Sequence, residues 1–429
     1  MTPPLGVQIL GSVLRQHGYQ TELFDSRLAG ASLDDELGTW APDIVGFSFL
    51  SPAAADATAL ARRARQRGAM TVAGGPHATI CGESLPADAF DVVVPGDGEH
   101  ALVHIVRRVE RGGAGSRVVH GTPWPDLSTL PVLDRFACYE PVYGAPDRTW
   151  RSVPVQFNRG CPMNCQFCEV SRDAAVYDLP RKDRQRSLAR LTDDVDTSVE
   201  RWQANYVLVV DSIATLDDEL AAGFLDMLAD RHPGISVQLN AHVNKFSPRV
   251  EAALRRFGPR ASVWFGFESG SDAVLERLQK GHTVADALEV GRRAVATGAF
   301  VGVNLLIGVP GETEDDLAAT DRFVDELMRS APDPHLVHAN PNIFHPLPGT
   351  PLYAECVAAG LVVDQTGHRV WSEQDIARER TGPLRGVDYG RVLATYYRYR
   401  PDSAPPGGFT PWVMAPGAEP RPRAAGPIR

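Results

Sequence analysis

Arg159-Gly160-Cys161-Pro162-Met163-Asn164-Cys165-Gln166-Phe167-Cys168-Glu169 follows directly on a strand-like run, Ser152 to Asn158. Three cysteines stand in a C-x3-C-x2-C array on one loop. Thiolates held this close can ligate three corners of a cubane iron–sulfur cluster, which is ordinarily tied down by cysteine sulfur. Cys81, Cys138 and Cys356 are each isolated in the sequence, so no fourth cysteine lies nearby. Cys161, Cys165 and Cys168 would leave one iron open, and an open metal position is where a small molecule can chelate. The alternative is a structural zinc loop completed by a remote histidine. Only the surrounding pattern separates the two.

Composition bounds the rest. The chain has 429 residues, room for two domains with sizeable cores. Its 43 basic and 53 acidic residues give a net charge of −10 with no long run of one sign, which argues against a nucleic-acid or anionic-membrane footprint. Six cysteines, three of them in one loop, do not make a disulfide framework. There is no charged segment before an apolar core at Met1-Thr2-Pro3-Pro4, and no apolar run long enough to span a bilayer. A cytoplasmic, oxygen-sensitive protein is expected.

Ahead of the cysteine loop the pattern alternates helix and strand. Leu5 to His17 is helical and stops at Gly18; Gln20 to Asp25 reads as a strand; Ile44 to Leu50 is an apolar run of the buried parallel kind. A helix from Ala54 to Arg67, a strand from Met70 to Gly75 and another from Asp91 to Gly96 follow. This implies a doubly wound parallel sheet over residues 1–120, with ligands beyond the carboxyl ends of the strands, where the glycines cluster. The proline-rich stretch 121–150 reads as a packed linker. From Ser152 a second series begins, with strands Val153 to Gly160, Tyr206 to Ser212, Ser236 to His242, Ser262 to Ser269, Phe300 to Gly308 and His338 to His345. Helices fit between them, notably Leu188 to Trp202, Leu216 to Ala229, Val284 to Thr297 and Glu314 to Met328. Six βα units over 151–360 predict a partial (β/α)6 barrel, whose site lies at the carboxyl ends of its strands, where the cysteine loop falls.

These motifs carry a resemblance. The cysteine spacing, with Phe167 before the last cysteine, resembles the radical S-adenosylmethionine (SAM) superfamily, whose unligated iron takes the amino and carboxylate groups of SAM. Val209-Val210-Asp211-Ser212 occupies the place of that family's polar motif for the SAM amino group. Gly266-Phe267-Glu268-Ser269-Gly270-Ser271, followed by Lys280-Gly281-His282-Thr283, is similar to the segment holding ribose and carboxylate. Leu306-Ile307-Gly308-Val309-Pro310-Gly311 is similar to the segment that packs on adenine. The resemblance therefore implies SAM contacts from Phe167, Asp211, Ser212, Glu268, Ser269, Ile307 and Gly308.

Pro3-Pro4-Leu5-Gly6, Ser48-x-Leu50, Gly74-Gly75-Pro76-His77 and Gly96-Asp97-Gly98-Glu99 resemble, in order, the cobalamin-binding domain that precedes many radical SAM enzymes. This implies a cobalamin slot made by Ser48, Leu50, Gly74, Gly75, His77, Gly96, Gly98 and Glu99. The family's Asp-x-His-x-x-Gly motif is absent, so no histidine from it would reach cobalt. The family's first strand, central in such a sheet, is also missing before Pro3, and its neighbours should then have unpaired edges.

The function implied is reductive cleavage of SAM to a 5′-deoxyadenosyl radical, with cobalamin-dependent methylation of an unactivated carbon in a polar small molecule or peptide. A flavodoxin or ferredoxin would supply the electron. The alternatives are cyclisation, rearrangement or oxidation without methyl transfer, and, more distantly, a non-catalytic iron–sulfur or zinc module. One expectation rests on period alone. Polar residues at every second strand position should face the barrel lumen, because an apolar helix layer penalises them. Gln156 and Asn158, Gln238, Asn240 and His242, Asn304, and His338, Asn340 and Asn342 form such sets, and Asn240, His242, His338 and Asn340 are the candidate substrate contacts. In the extension 361–429, Tyr389 to Tyr399 reads as a packing helix, Cys356 before it as a small buried residue, and the chain from about 401 as disordered.

Overall fold

In the computed structural model the residues described are 4–26, 32–113, 115–131, 151–170, 184–363, 371–379 and 381–400. Most of the linker and the tail beyond residue 400 lie outside them.

Two parallel sheets organise the chain. The first has the order β1-β2-β3, with β1 Ile44–Ser48, β2 Met70–Gly74 and β3 Val92–Val93. Its helices include Leu5–Gln16, Ala54–Gln66 and Gly98–Glu110. Gln20 to Asp25 forms no strand, contrary to expectation. The outer edge of β1 has no strand beside it among the described residues, so this segment finds no ladder to join. Accordingly β1 is half open to solvent where a central strand would be covered on both faces.

The second sheet is the expected partial barrel, β4-β5-β6-β7-β8-β9 in sequence order and parallel throughout. The strands are β4 Ser152–Val155, β5 Tyr206–Val209, β6 Ser236–Ala241, β7 Ala261–Glu268, β8 Phe300–Ile307 and β9 Val337–Ile343. Side-chain alternation sorts the layers. Val301, Val303, Leu305, Val337 and Ala339 join one core with Phe323, Val324 and Leu327 of the helix Glu314–Ser330. Asn304, His338 and Asn340 consequently occupy the opposite, lumen face.

The same core continues through Leu127 and Leu130 to Leu5, Ile9, Val13 and Val103, so the helices of the first sheet pack against the barrel. At the other end, helix Tyr389–Tyr399 covers β9, burying Tyr389, Tyr396 and Tyr399 in the packing role expected of it. It is pinned to Glu314–Ser330 by Arg391–Asp321 at 3.2 Å, Arg398–Asp325 at 2.7 Å and a Tyr399 hydroxyl bond to Asp321. Cys356 is fully buried, as a small core residue.

Candidate active site at the join of the two sheets

The cysteine loop leaves β4 and is tied to the barrel rim by its backbone. Gln166 N–H donates to the Leu278 carbonyl, and Leu352 N–H donates to the carbonyl of Gln166, both at 3.1 Å. Cys161 and Cys165 are buried and Cys168 half-buried. Burial pushes the Cys165 thiol up to about 11, opposed by the Lys280 ammonium and reinforced by its neighbours Cys168 and Cys161. The three sulfurs thus feel one another, yet among the described residues no three His, Cys, Asp or Glu side chains are gathered as ligands of a single ion. Three thiols on one loop, with no fourth cysteine beside them in sequence, are the donor set that a cysteine-ligated cluster takes.

The rim opposite is built on strain and charge. Glu268 ends β7 at a register shift and has φ of 66°, a conformation non-glycine residues avoid. Its carboxylate accepts from buried Lys280 at 3.1 Å, and Lys280 lies 5.9 Å from the Phe167 ring centroid. Burial opposes the charge on Lys280, but Glu268 and Cys165 outweigh it and raise its pKa. A buried cation beside Cys165 and Cys168 offsets the negative charge that a thiolate-bound cluster would bring. Sequence reading placed Lys280 in a matching segment without assigning it to the site.

Several expected SAM contacts point elsewhere. Asp211 is 2% exposed and accepts from the backbone N–H of Phe157 at 2.8 Å and Asn158 at 2.6 Å. It clamps β4 to β5, and burial raises its carboxyl to about 7. Ser212, the next residue, is exposed. The Ser269 hydroxyl turns toward the outer helix layer and meets Thr320 at 3.2 Å. Ile307 is an outward residue of β8, buried with Leu317, Trp371 and Tyr396. Leu306, on the inward parity, is the one that packs in a cluster with Phe167. Gly308 N–H donates to the Glu312 carboxylate at 2.6 Å. Strand parity, read from Asn304, was the signal that could have chosen Leu306.

In the first sheet, the turn after β2 makes a cradle. Gly75 has φ of 86°, and a Cβ there would stand 2.8 Å from Ser48 Oγ and 2.9 Å from Phe49 N. Gly74 is half-buried beside it, while Ser48 is exposed and Leu50 is 55% exposed. An open apolar wall beside a glycine turn at strand ends suits a large cofactor's tail. Gly75→Ala is expected to destabilise the turn by about 1–3 kcal/mol and to lower cobalamin affinity. Equilibrium dialysis with unchanged retention would remove the cradle from the slot.

Four residues assigned to that slot are used differently. His77 is 1% exposed and shares a 2.8 Å hydrogen bond with Ser51. Ser51 donates to the carboxylate of Glu169, the residue after Cys168. Ser51 thus stands between the His77 ring and the Glu169 carboxyl. Asp97 and Glu99 take Arg159 from the start of the cysteine loop, at 3.0 and 2.6 Å, and Asp97 also takes Arg184 at 2.6 Å. Gly98 lets Leu10 approach its backbone closely, and Gly96 N–H donates to Thr79. The Gly-Asp-Gly-Glu motif is therefore a buried ionic latch between sheet and barrel, so its Glu99 carboxylate is not presented to a slot.

The candidate substrate contacts share the lumen parity but not one cluster. Asn240 donates to the Asp211 carbonyl at 2.9 Å. His242 is buried, with its ring 5.6 Å from that of His282 and its pKa driven down to about 3 by burial and Lys280. The His338 ring is 5.6 Å from Trp264. Asn340 donates to Asn304 at 2.8 Å and accepts from Arg400, a residue no sequence pattern singled out.

Fold and site together define a class: a thiolate-cluster barrel joined to an α/β unit with a slot for a second, large cofactor. Residues 1–106 match the B12 binding domain and residues 155–324 the radical SAM superfamily. The chain thus carries a B12 binding domain followed by a radical SAM domain, a pairing whose cofactors are cobalamin, a [4Fe–4S] cluster and SAM. It is similar to an uncharacterized methyltransferase of Pyrococcus horikoshii, 25% identical over 390 residues, covering 84% of this chain and 80% of the relative. It is 23% identical over 382 residues to an anaerobic magnesium-protoporphyrin IX monomethyl ester cyclase of Cereibacter sphaeroides, covering 82% of this chain and only 60% of that relative. Among solved structures, the radical SAM methyltransferase TsrM from Kitasatospora setae, with cobalamin and [4Fe–4S] cluster bound, shares the fold. There the TM-score is 0.64 at 16% identity, covering 84% of this chain and 72% of TsrM. No helix among the described residues is long and apolar enough to cross a membrane.

Proposed function

We propose that the protein is a cobalamin-dependent radical SAM C-methyltransferase acting on an unactivated carbon of a polar small molecule or peptide. The observation that carries it is the Ser51 bridge: it joins the residue after Cys168 to the helix that begins after Gly74-Gly75. The corrin slot and the cluster loop are thereby held to one mouth, which favours a reaction needing both reagents at one carbon. When bound, the cluster and SAM supply the hydrogen-abstracting radical, and cobalamin a methyl group.

The chain's own residues do the rest. Cys161, Cys165 and Cys168 hold the cluster, and Lys280 balances its charge. Glu268, Phe167 and Leu306 orient SAM. Ser48, Leu50, Gly74 and Gly75 take the cobalamin, with no histidine presented to cobalt by Asp-x-His-x-x-Gly. Asn240, His242, His338 and Asn340 line the substrate lumen. A flavodoxin or ferredoxin delivers the electron, and the setting is cytoplasmic. The test is anaerobic reconstitution with SAM, cobalamin, a reductant and a panel of candidate substrates. Methyl transfer forms S-adenosylhomocysteine beside 5′-deoxyadenosine and a product heavier by one methylene unit. Turnover that yields 5′-deoxyadenosine and an unmethylated product would instead establish cyclisation, rearrangement or oxidation.

A further inference from the structure

We propose that Arg400, with Asn304 and Tyr396, forms a subsite for a carboxylate group on the substrate. This rests on the reading of the barrel lumen as the substrate site and names the chemistry that site accepts.

Helix Tyr389–Tyr399 carries two other arginines, and both are neutralised. Arg391 pairs with Asp321 and Arg398 with Asp325 and Asp321. These aspartates belong to Glu314–Ser330, in the outer helix layer. Arg400, at the helix end, goes the other way. Its Nη2 donates to Asn340 Oδ1 and its Nη1 to the Tyr396 hydroxyl at 3.3 Å, with the guanidinium carbon 5.6 Å from the Tyr396 ring centroid. Asn340 is a lumen residue, so the guanidinium is directed into the barrel across its β9 border. No carboxylate among the described residues pairs with it.

The neighbours are amides and rings rather than acids. Asn340 donates to Asn304 Oδ1, which leaves the Asn304 amide N–H groups without a partner among the described residues. Trp264 and His338 lie one residue pair further down the same face, since Gly302 pairs with both Trp264 and His338 in the ladders. A partly buried guanidinium in neutral surroundings costs solvation that an incoming anion restores. Its planar fork matches a carboxylate in two-point contact, and a single positive charge matches a monoanion better than a phosphate dianion. The Tyr396 hydroxyl and the Asn340 amide oxygen hold the guanidinium in place.

The experiment reads the site without turnover. Reconstituted holoenzyme is treated with phenylglyoxal, and labelling at Arg400 is followed by peptide mass spectrometry in the presence of benzoate, acetate, benzamide or acetamide at matched ionic strength. The two carboxylates should slow Arg400 labelling about tenfold or more, as charge-assisted hydrogen bonds do, and the amides should not. Arg391 and Arg398, already on aspartates, serve as internal controls. In equilibrium dialysis Arg400→Gln should lose benzoate binding, and Arg400→Lys should keep part of it. Equal protection by the amides, no protection by any probe, or benzoate binding by Arg400→Gln at wild-type strength would overturn the subsite. S-adenosylhomocysteine formation without carboxylate protection sinks this proposal alone. Protection without S-adenosylhomocysteine sinks methyl transfer and leaves the subsite standing.

Discussion

Alanine at Cys161, Cys165 and Cys168 together is expected to lower bound iron from about four per chain to none and to reduce 5′-deoxyadenosine formation to background. Cluster absorbance should vanish while the far-ultraviolet circular dichroism stays that of the wild type. The loop keeps its backbone anchors at Leu278 and Leu352, and the three substitutions delete only sulfur from a site whose walls are set by Leu278, Leu352 and Phe167. Reductive SAM cleavage by the triple variant would refute the assignment. So would wild-type protein that takes up zinc and no iron under anaerobic reconstitution.

Arg159→Gln should cost about 3–5 kcal/mol of stability, because it strands Glu99, whose side chain is 4% exposed, and leaves Asp97 with Arg184 alone. Differential scanning calorimetry should show the loss. The effect on chemistry should be selective: S-adenosylhomocysteine formation falls, whereas reductive cleavage of SAM persists. The latch joins the sheet that carries the slot to the loop that carries the cluster, and each half keeps its own residues. In the double variant Arg159→Gln, Glu99→Gln the buried charge is gone, so the two changes together should cost less than their sum. Strict additivity would show that the 2.6 Å pair contributes nothing to docking.

Much of the barrel was legible because parallel strands between helices leave a strong local signature. Leu188–Trp202 and Tyr389–Tyr399 lie where the sequence put them, and all six barrel strands overlap the expected runs, three of them beginning one residue earlier. Gln20 to Asp25 failed because a strand is defined by its neighbour, and none lies beside it among the described residues. The short helices Pro248–Arg255 and Asp272–Leu278 were not singled out, since two turns carry little periodicity.

The site divides in the same way. The sequence by itself determined the thiol array, the glycine turn at Gly75 and the parity that turns Asn240, His338 and Asn340 into the lumen. Each follows from spacing along one segment, which covalent geometry and a two-residue repeat are enough to specify. Which polar group faces the cofactors was decided only by tertiary structure. Asp211 is taken by the backbone just after β4, Ser269 by the outer helices, Glu99 by Arg159 and His77 by the Ser51 bridge to Glu169. A buried carboxylate or imidazole must find a partner, and the partner's distance in sequence, here 60 residues for Arg159 and Glu99, carries no local mark. Arg400 is the extreme case: only the packing of its helix across β9 brings its charge to Asn340.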